Sequence, residues 1–366
     1  AYGSGTPPNS LLENSHIQKI NLKDQLVLPG LVDCHTHLLY AGKRHDEFCQ
    51  RARGKSYEQI ALDGGGIQST VNSTRQATNK ELISLCQKRL QKLSSYGITT
   101  VEVKSGYGLS FKEELRELSL IHQVKEDSVQ HILTTCLALH AIPPNLTTRS
   151  YVDQMTNELL SEVKKQNLAQ FVDVFVEKNY FSKDEAKQHL EKAISLGFDV
   201  KVHADEFSRQ GGAELAAELK AASADHLQYT TKEDIQQMAK SNVTAVILPG
   251  TSLYTAIPFT NAKKMVEQNC QVAVATDHNP GSSQIYNLPM LASLATIHSG
   301  LTPEQAVSGI TYAASCALKT ETYKGSLASG FDADIAVFPV KNYLEFISLM
   351  GEIKASNVWV GNKKVV

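Results

Sequence analysis

His35-Thr36-His37 closes the run Leu26-Val-Leu-Pro-Gly-Leu-Val-Asp-Cys-His-Thr-His, which is apolar up to Val32. Alternate side chains of a strand point the same way, so both imidazoles face one side, about 7 Å apart along the backbone. That spacing suits two ligands on one metal ion. His203, ending Phe-Asp-Val-Lys-Val-His, offers a third imidazole, and Asp277, in Val-Ala-Val-Ala-Thr-Asp-His-Asn-Pro-Gly, offers a carboxylate. Three nitrogens and one oxygen suit a single borderline ion, Zn2+ or Fe (2+/3+), with a position left for water. Such an ion lowers the pKa of bound water from about 15.7 to about 7, which makes hydrolysis the expected chemistry.

A lone histidine at a strand end is more often a hydrogen-bonded core or loop residue than a ligand. Two aimed into one cavity need a shared reason. Glu206, three residues after His203, is placed to carry protons at such a site. His226, in Ser-Ala-Asp-His, could be ligand, acid/base group or filler and is read as a catalytic group beside the metal; Glu177 could in principle bridge a second metal and is read as a buried acid that is structural or sits behind the ligands, hence one metal rather than two. His16, His45, His122, His131, His189, His278 and His298 receive no role.

These residues need elements to position them. Apolar, β-branched runs recur at Val27–His35, Ile98–Lys104, Ile132–His140, Val172–Glu177, Asp199–His203, Ala224–Leu227, Thr244–Leu248 and Val272–Asp277. Segments of helical period lie between most of them, at Lys80–Tyr96, Glu113–Glu126, Val152–Gln166, Lys183–Leu196, Gly212–Leu219, Lys232–Lys240 and Asn261–Gln268. This α/β alternation predicts a parallel sheet closed as a (β/α)8 TIM-type barrel, its strands buried on both faces. Polar residues follow nearly every strand: His35 and His37, Lys104 with Tyr107, His140, Glu177, His203, His226, Thr251 and Asp277. The carboxyl ends of the strands are where the loops of such a barrel converge on one cavity.

The barrel is expected to span residues 29–324. Residues 1–28 and 325–366 are expected to form a composite small β-sandwich domain, from the alternating segment His16–Leu22 and the β-rich stretches Asp334–Pro339 and Asn357–Val366. Gly325-Ser-Leu-Ala-Ser-Gly-Phe-Asp-Ala-Asp334 marks the passage between the two, with two glycines for turns.

With 42% hydrophobic and 20% charged residues and a net charge of −2, neither sign dominates, so nucleic acid and anionic membranes are not expected partners. The apolar runs fall well short of the roughly 18 residues of a membrane span. The first residues, Ala-Tyr-Gly-Ser, carry no basic-then-apolar signal pattern, and six scattered cysteines include no C-x-x-C pair. A reduced, cytoplasmic setting is expected.

The stretch Pro29-Gly-Leu-Val-Asp-Cys-His-Thr-His37, the series His203, His226 and Asp277, and the tail Gly325–Asp334 resemble the amidohydrolase superfamily. Within it, the closer resemblance is to the imidazolonepropionase family of histidine degradation. That match rests on Leu38-Leu-Tyr-Ala-Gly-Lys-Arg44 with Glu47-Phe48, Gly64-Gly-Gly-Ile67, Val101-Glu-Val-Lys-Ser-Gly-Tyr-Gly-Leu109, Ala138-Leu-His-Ala-Ile-Pro-Pro144 and Asp277-His-Asn-Pro-Gly281, and covers essentially the whole chain. The resemblance implies hydrolysis of 4-imidazolone-5-propanoate to N-formimidoyl-L-glutamate. It implies that His35, His37, His203 and Asp277 hold the metal and that Arg44, Tyr107 and His140 hold the small anionic substrate, with Glu206 near its ring. Asn279, Gly281 and Ser282 would reach it from the last loop, and a homodimer is expected. Catalysis would fall to Glu206, His226 and Asp277. Two departures stand out: His278 follows Asp277, and Ser282 stands where threonine is common.

Deaminases of cyclic bases share the metal series and are the nearest enzymatic alternative; a neutral base needs no Arg44. A non-catalytic binding protein is the other, and the intact quartet His35, His37, His203 and Asp277 argues against it. Gly64-Gly-Gly66 reads as a mobile loop over the site and lacks the Lys-Ser/Thr of a phosphate loop.

Overall fold

The computed structural model describes residues 9, 13, 15–55, 59, 60 and 63–366. The expected strand Val27–His35 is two strands. β1 (Leu26–Pro29) leaves the barrel and β2 (Leu31–Asp33) enters it. The break falls at Pro29-Gly30, where proline withholds a ladder N–H. Gly30 N–H instead donates to Asp334 O at 2.8 Å, and Leu31 N–H to Gly97 O at 2.9 Å, so one chain direction serves two sheets.

β3 (Ile98–Lys104), β4 (His131–Leu139), β5 (Phe171–Val176), β6 (Asp199–Ala204), β7 (Ser223–His226), β8 (Thr244–Ile247) and β9 (Val272–Val274) follow β2 in one parallel sheet, in sequence order. Helices lie between them. Those at Asn79–Ser94, Lys183–Ser195 and Lys232–Lys240 open on capping boxes, Thr78 with Glu81, Ser182 with Glu185 and Thr231 with Asp234, which satisfy otherwise orphaned N–H groups. The expected helix Val152–Gln166 is instead Thr148–Gln154, a π turn at Met155–Leu159, and Leu160–Lys165.

The ring closes just beyond the ends of β9 and β2. Asp277 N–H donates to His35 O at 2.9 Å, and His37 N–H to His278 O at 3.0 Å. Asp33 accepts both the N–H and the hydroxyl of Thr276, at 3.0 and 2.6 Å. The seam of the barrel therefore runs through the residues singled out for metal binding.

At the chain's ends, β10 (Ile335–Phe338), β11 (Asn357–Val360) and β12 (Lys363–Lys364) join β1 in a four-stranded antiparallel sheet, ordered β1-β10-β11-β12. Lys324 ties this sheet to the barrel, its ammonium 2.5 Å from Asp334 and 2.9 Å from Asp332. The alternating segment His16–Leu22, expected to contribute a strand, forms none: Ile17 and Ile20 are 38% and 51% exposed, and no strand pairs with them among the described residues. The expectations for residues 1–8, 10–12 and 14 lie outside the described residues.

The π turn carries a buried polar pair, Thr156 Oγ1 and His189 Nδ1 at 2.9 Å. Burial pushes the His189 pKa down to about 3. Above about pH 6.5 neither folded nor unfolded chain protonates it; below that, the unfolded imidazole takes up a proton that the folded one refuses. Stability is therefore lost as pH falls from about 6.5 toward about 3, and at pH 5 His189 alone accounts for about 2 kcal/mol. Urea unfolding at pH 7 and pH 5 checks this: His189→Gln should lose less stability between the two than the parent protein, and an equal loss would show that His189 contributes nothing to acid sensitivity.

Candidate metal and active site

His35, His37 and His203 converge at the carboxyl ends of β2 and β6, all buried, with one ring nitrogen from each within 4.8 Å of the others. Asp277 Oδ1 lies 3.5 Å from His35 Nε2 and 3.4 Å from His37 Nε2. The four residues read from sequence thus meet at one point, brought there by the barrel's first, fifth and last strands.

Carboxylates hold two of these rings from behind. Asp225 Oδ2 is 2.6 Å from His35 Nδ1, and Asp173 Oδ2 is 2.9 Å from His203 Nδ1. A carboxylate on one ring nitrogen fixes the tautomer and aims the other nitrogen's lone pair forward, as metal-binding histidines require. His35 Nε2 and His203 Nε2 are buried and have no hydrogen-bond partner in the protein. Burial, with the neighbouring cations and imidazoles, holds His35 and His37 well below the usual histidine range, so both are neutral. Neutral, aligned and otherwise unpartnered imidazoles beside a carboxylate fit a metal ion.

Under this cluster lies a fully buried ionic layer. Lys104 Nζ is 2.9 Å from Glu102, 2.7 Å from Asp173 and 3.8 Å from Asp225. Lys201 Nζ is 3.0 Å from Glu102 and 3.7 Å from Asp225, and donates to Cys34 O at 2.8 Å. Burial works against the Lys104 charge, but Asp173 and Glu102 prevail and raise its pKa. Two lysines thus face Glu102, Asp173 and Asp225, and with Asp277 above them carboxyl groups outnumber ammonium groups in and over the layer.

Above the cluster, one pocket is lined by His37, Arg44, Tyr107, His140, His203, Glu206, His226, Asp277, Asn279 and Ser282, with Ile67, Phe175, Tyr180 and Phe207 as its apolar wall. Of the residues read from sequence, His35 and Gly281 do not line it. His35 is sealed at the base. Gly281 lies behind Arg44, where an added Cβ would sit 2.0 Å from Arg44 Nη1, so only glycine leaves room for the guanidinium. Asn279 is saturated by its own loop, accepting the N–H groups of Gly281 and Ser282 at 2.8 Å while its amide donates to Asp277 O and Ser282 Oγ.

The titratable groups are sorted by burial. Glu206 is raised well above the usual carboxyl range, by burial first and then by the charges of Asp277 and Glu177, which favours its protonated form. His226, with Nδ1 3.6 Å from Glu206, is lowered to about 3, chiefly by burial, and is neutral. His140 stacks on His37 with ring centroids 5.1 Å apart and bonds Gly106 O through Nδ1 at 3.0 Å. That bond fixes Nδ1 as the protonated nitrogen and leaves Nε2 an acceptor. Glu177 does not reach the histidine cluster; it accepts the N–H groups of Phe207 and Ser208 at 2.9 and 3.2 Å and so grips the loop that carries Glu206. His226 (φ +83) and Asp277 (φ +49) adopt the left-handed region that non-glycine residues rarely occupy, held there by the fold around the site.

Asp173 and Asp225 were not picked out from the sequence. The available signal was a charged residue inside a strand otherwise apolar and buried, Phe-Val-Asp-Val-Phe-Val for Asp173, and the residue just before His226 for Asp225.

A barrel with imidazoles and a carboxylate gathered at its carboxyl ends defines the class of metal-dependent barrel hydrolases, and the amidohydrolase family model matches residues 26–365. The chain is 42% identical over 326 residues to the imidazolonepropionase of Alkaliphilus oremlandii, covering 88% of this chain and 77% of that protein. It is 40% identical over 349 residues to that of Geobacillus kaustophilus, covering 95% and 82%. Among solved structures, a 5-methylcytosine deaminase from Klebsiella pneumoniae superposes with a TM-score of 0.75 at 14% identity, over 96% of this chain and 91% of that one. Atrazine chlorohydrolase TrzN from Arthrobacter aurescens, complexed with zinc, superposes with a TM-score of 0.67 at 14% identity, over 94% and 84%. At that identity these two share the fold. The chain belongs to the amidohydrolase family and, within it, to the imidazolonepropionases.

The orienting role of Asp173 has a direct check. Asp173→Asn should weaken zinc binding by about 10–100-fold, read by competition with a chromogenic chelator. Unchanged affinity would mean that His203 is aimed by something else.

Proposed function

We propose that the protein opens the ring of 4-imidazolone-5-propanoate by hydrolysis, giving N-formimidoyl-L-glutamate. The observation that carries this reading is one pocket that joins a histidine–aspartate metal cluster to a guanidinium, Arg44. A cyclic amide bearing a propanoate needs an activated water at one end and an anion clamp at the other. A neutral base, as a deaminase would take, needs no clamp.

His35, His37, His203 and Asp277 would hold one zinc or iron ion. When bound, the ion supplies a Lewis acid and a water that ionises near neutral pH. Thr251 O–H donates to Asp277 Oδ2 at 2.5 Å, so Oδ1, the oxygen facing the histidines, is the one placed to take the proton of the attacking water. A carbon–oxygen bond forms at the ring carbonyl and the ring carbon–nitrogen bond breaks. Neutral His226 offers an N–H to the developing oxyanion. Proton-bearing Glu206 delivers its proton to the departing nitrogen, and the proton on Asp277 then restores the balance. His140 Nε2 is left to accept a ring N–H, and Tyr107 closes the pocket between His37 and His140, at centroid distances of 6.0 and 5.5 Å. Arg44 forks onto the propanoate, and Asn279 and Ser282 border it.

The protein would act in a reducing cytoplasm, which its six free thiols suit, and as a homodimer. No helix among the described residues is long and apolar enough to cross a membrane.

The reading is tested with freshly generated 4-imidazolone-5-propanoate. Its absorbance should decay as N-formimidoylglutamate appears, cease after chelation, and return on reloading with zinc or iron, the better ion identifying the metal. No decay with metal bound would reject it. Asp277→Asn should lower kcat by at least about 100-fold, as expected for loss of a general base. Arg44→Ala and Gly281→Ala, which remove and displace the same guanidinium, should each raise KM about tenfold or more with kcat within about threefold. Equal losses in kcat would overturn the clamp assignment.

A further inference from the structure

Arg44 is held by a partner with a second task. Its guanidinium donates from Nε and Nη2 to Glu47 Oε2, at 2.9 and 2.7 Å. Glu47 stands three residues along, on helix His45–Ala52, and is 7% exposed. Its other oxygen, Oε1, accepts the backbone N–H of Gly66 at 3.0 Å. Gly66 precedes helix Ile67–Gln76 and sits at φ +71, ψ −155, a conformation that favours glycine, and its own position supplies no side-chain cap. The carboxylate of Glu47 therefore serves as the cap and as the negative charge at that helix's amino end. Ile67, the first residue of the helix, lines the pocket.

We infer that Glu47 is a positioning and specificity residue: one carboxylate fixes the anion clamp through one oxygen and the Gly64–Gly66 loop through the other. This rests on the function proposed above. A guanidinium presents its donors as a planar fork. Glu47 holds the edge bearing Nε and Nη2, and Gly281 is packed against Nη1, so the plane is set from two sides. A donor fixed in advance binds its anion with little loss of side-chain freedom. The same carboxylate links that plane to the loop bearing Ile67, so the clamp and the apolar wall keep one relative position.

Both partners of Glu47 are donors, which a carboxylate can serve together and a carboxamide cannot. In E47Q the amide must turn its NH2 toward Arg44 or toward the Gly66 N–H, and one contact is lost. Steady-state kinetics of the metal-loaded enzyme are compared for two substrates, 4-imidazolone-5-propanoate and the same ring bearing a neutral propanamide. E47Q should raise KM for the propanoate about tenfold or more with kcat within about threefold, as for loss of one charged hydrogen bond, and lower kcat/KM for the propanamide by no more than about threefold. Placed in an Arg44→Ala background, E47Q should change KM by no more than about threefold. Equal losses on both substrates, or none on either, would overturn the inference. If E47Q does not fold, as read by circular dichroism, Glu47→Asp is used; its shorter side chain reaches one partner only, and the same selective loss is required. Failure of the wild-type enzyme on the propanoate rejects the proposed function, whereas wild-type turnover with an indifferent E47Q rejects this inference alone.

Discussion

Lys104 and Lys201 sit inside the barrel with no exposure, and each is shared among carboxylates on different strands across its interior. A charge removed from water must be paired, and taking away one partner leaves the others uncompensated. The layer is therefore cooperative: β3, β5, β6 and β7 are locked at one height by charges none can satisfy alone. Asp173 and Asp225 face two ways, toward the lysines below and toward His203 and His35 above. The aim of the imidazoles is thus inherited from the ionic layer. An aliphatic filling of the kind common in such barrels would leave those ring nitrogens without partners.

The second constraint is the seam. The ring closes through backbone bonds between residues 35–37 and 277–278, and the candidate ligands His35, His37 and Asp277 stand on either side. An ion bound there would tie the first strand to the last, so that metal binding and closure of the barrel would reinforce each other. The left-handed conformations at His226 and Asp277 belong to the same region. Local backbone preference is overruled there by the need to turn functional side chains into one cavity.

The pocket separates its tasks by environment. Carboxyl groups of similar intrinsic acidity are assigned different states by what surrounds them. Burial beside Asp277 and Glu177 pushes Glu206 toward its protonated form, whereas Asp173, beside His203 and Lys104, is held well below the usual carboxylate range in spite of its burial. At the far end, Arg44 meets Glu47 and Gly281 and keeps its charge in a fixed plane. The groups proposed as acid, base and anion clamp, Glu206, Asp277 and Arg44, thus occupy different parts of one cavity, as a ring-opening hydrolysis requires.

Much of this was legible from the chain alone, because it is carried by local pattern. Strand and helix alternation follows from hydrophobic period, and His-x-His, His203 and Asp277 declare themselves by chemical type at strand ends. Where local pattern misled, a non-local competitor decided. The run from Val27 was divided between two sheets because Gly30 bonds Asp334 and Pro29 pairs with Ile335, both more than 300 residues away. The alternation around His16–Leu22 found no strand to pair with. The roles of Asp173, Asp225, Glu47 and Gly281 could not be read in sequence, since each depends on which atom of a distant residue lies within about 3 Å. Amino-acid order determined which elements form and which reactive groups end them. Only the closed barrel decided which of those groups touch, which keep their protons and which merely hold others in place, because pairing and desolvation are properties of the packed interior.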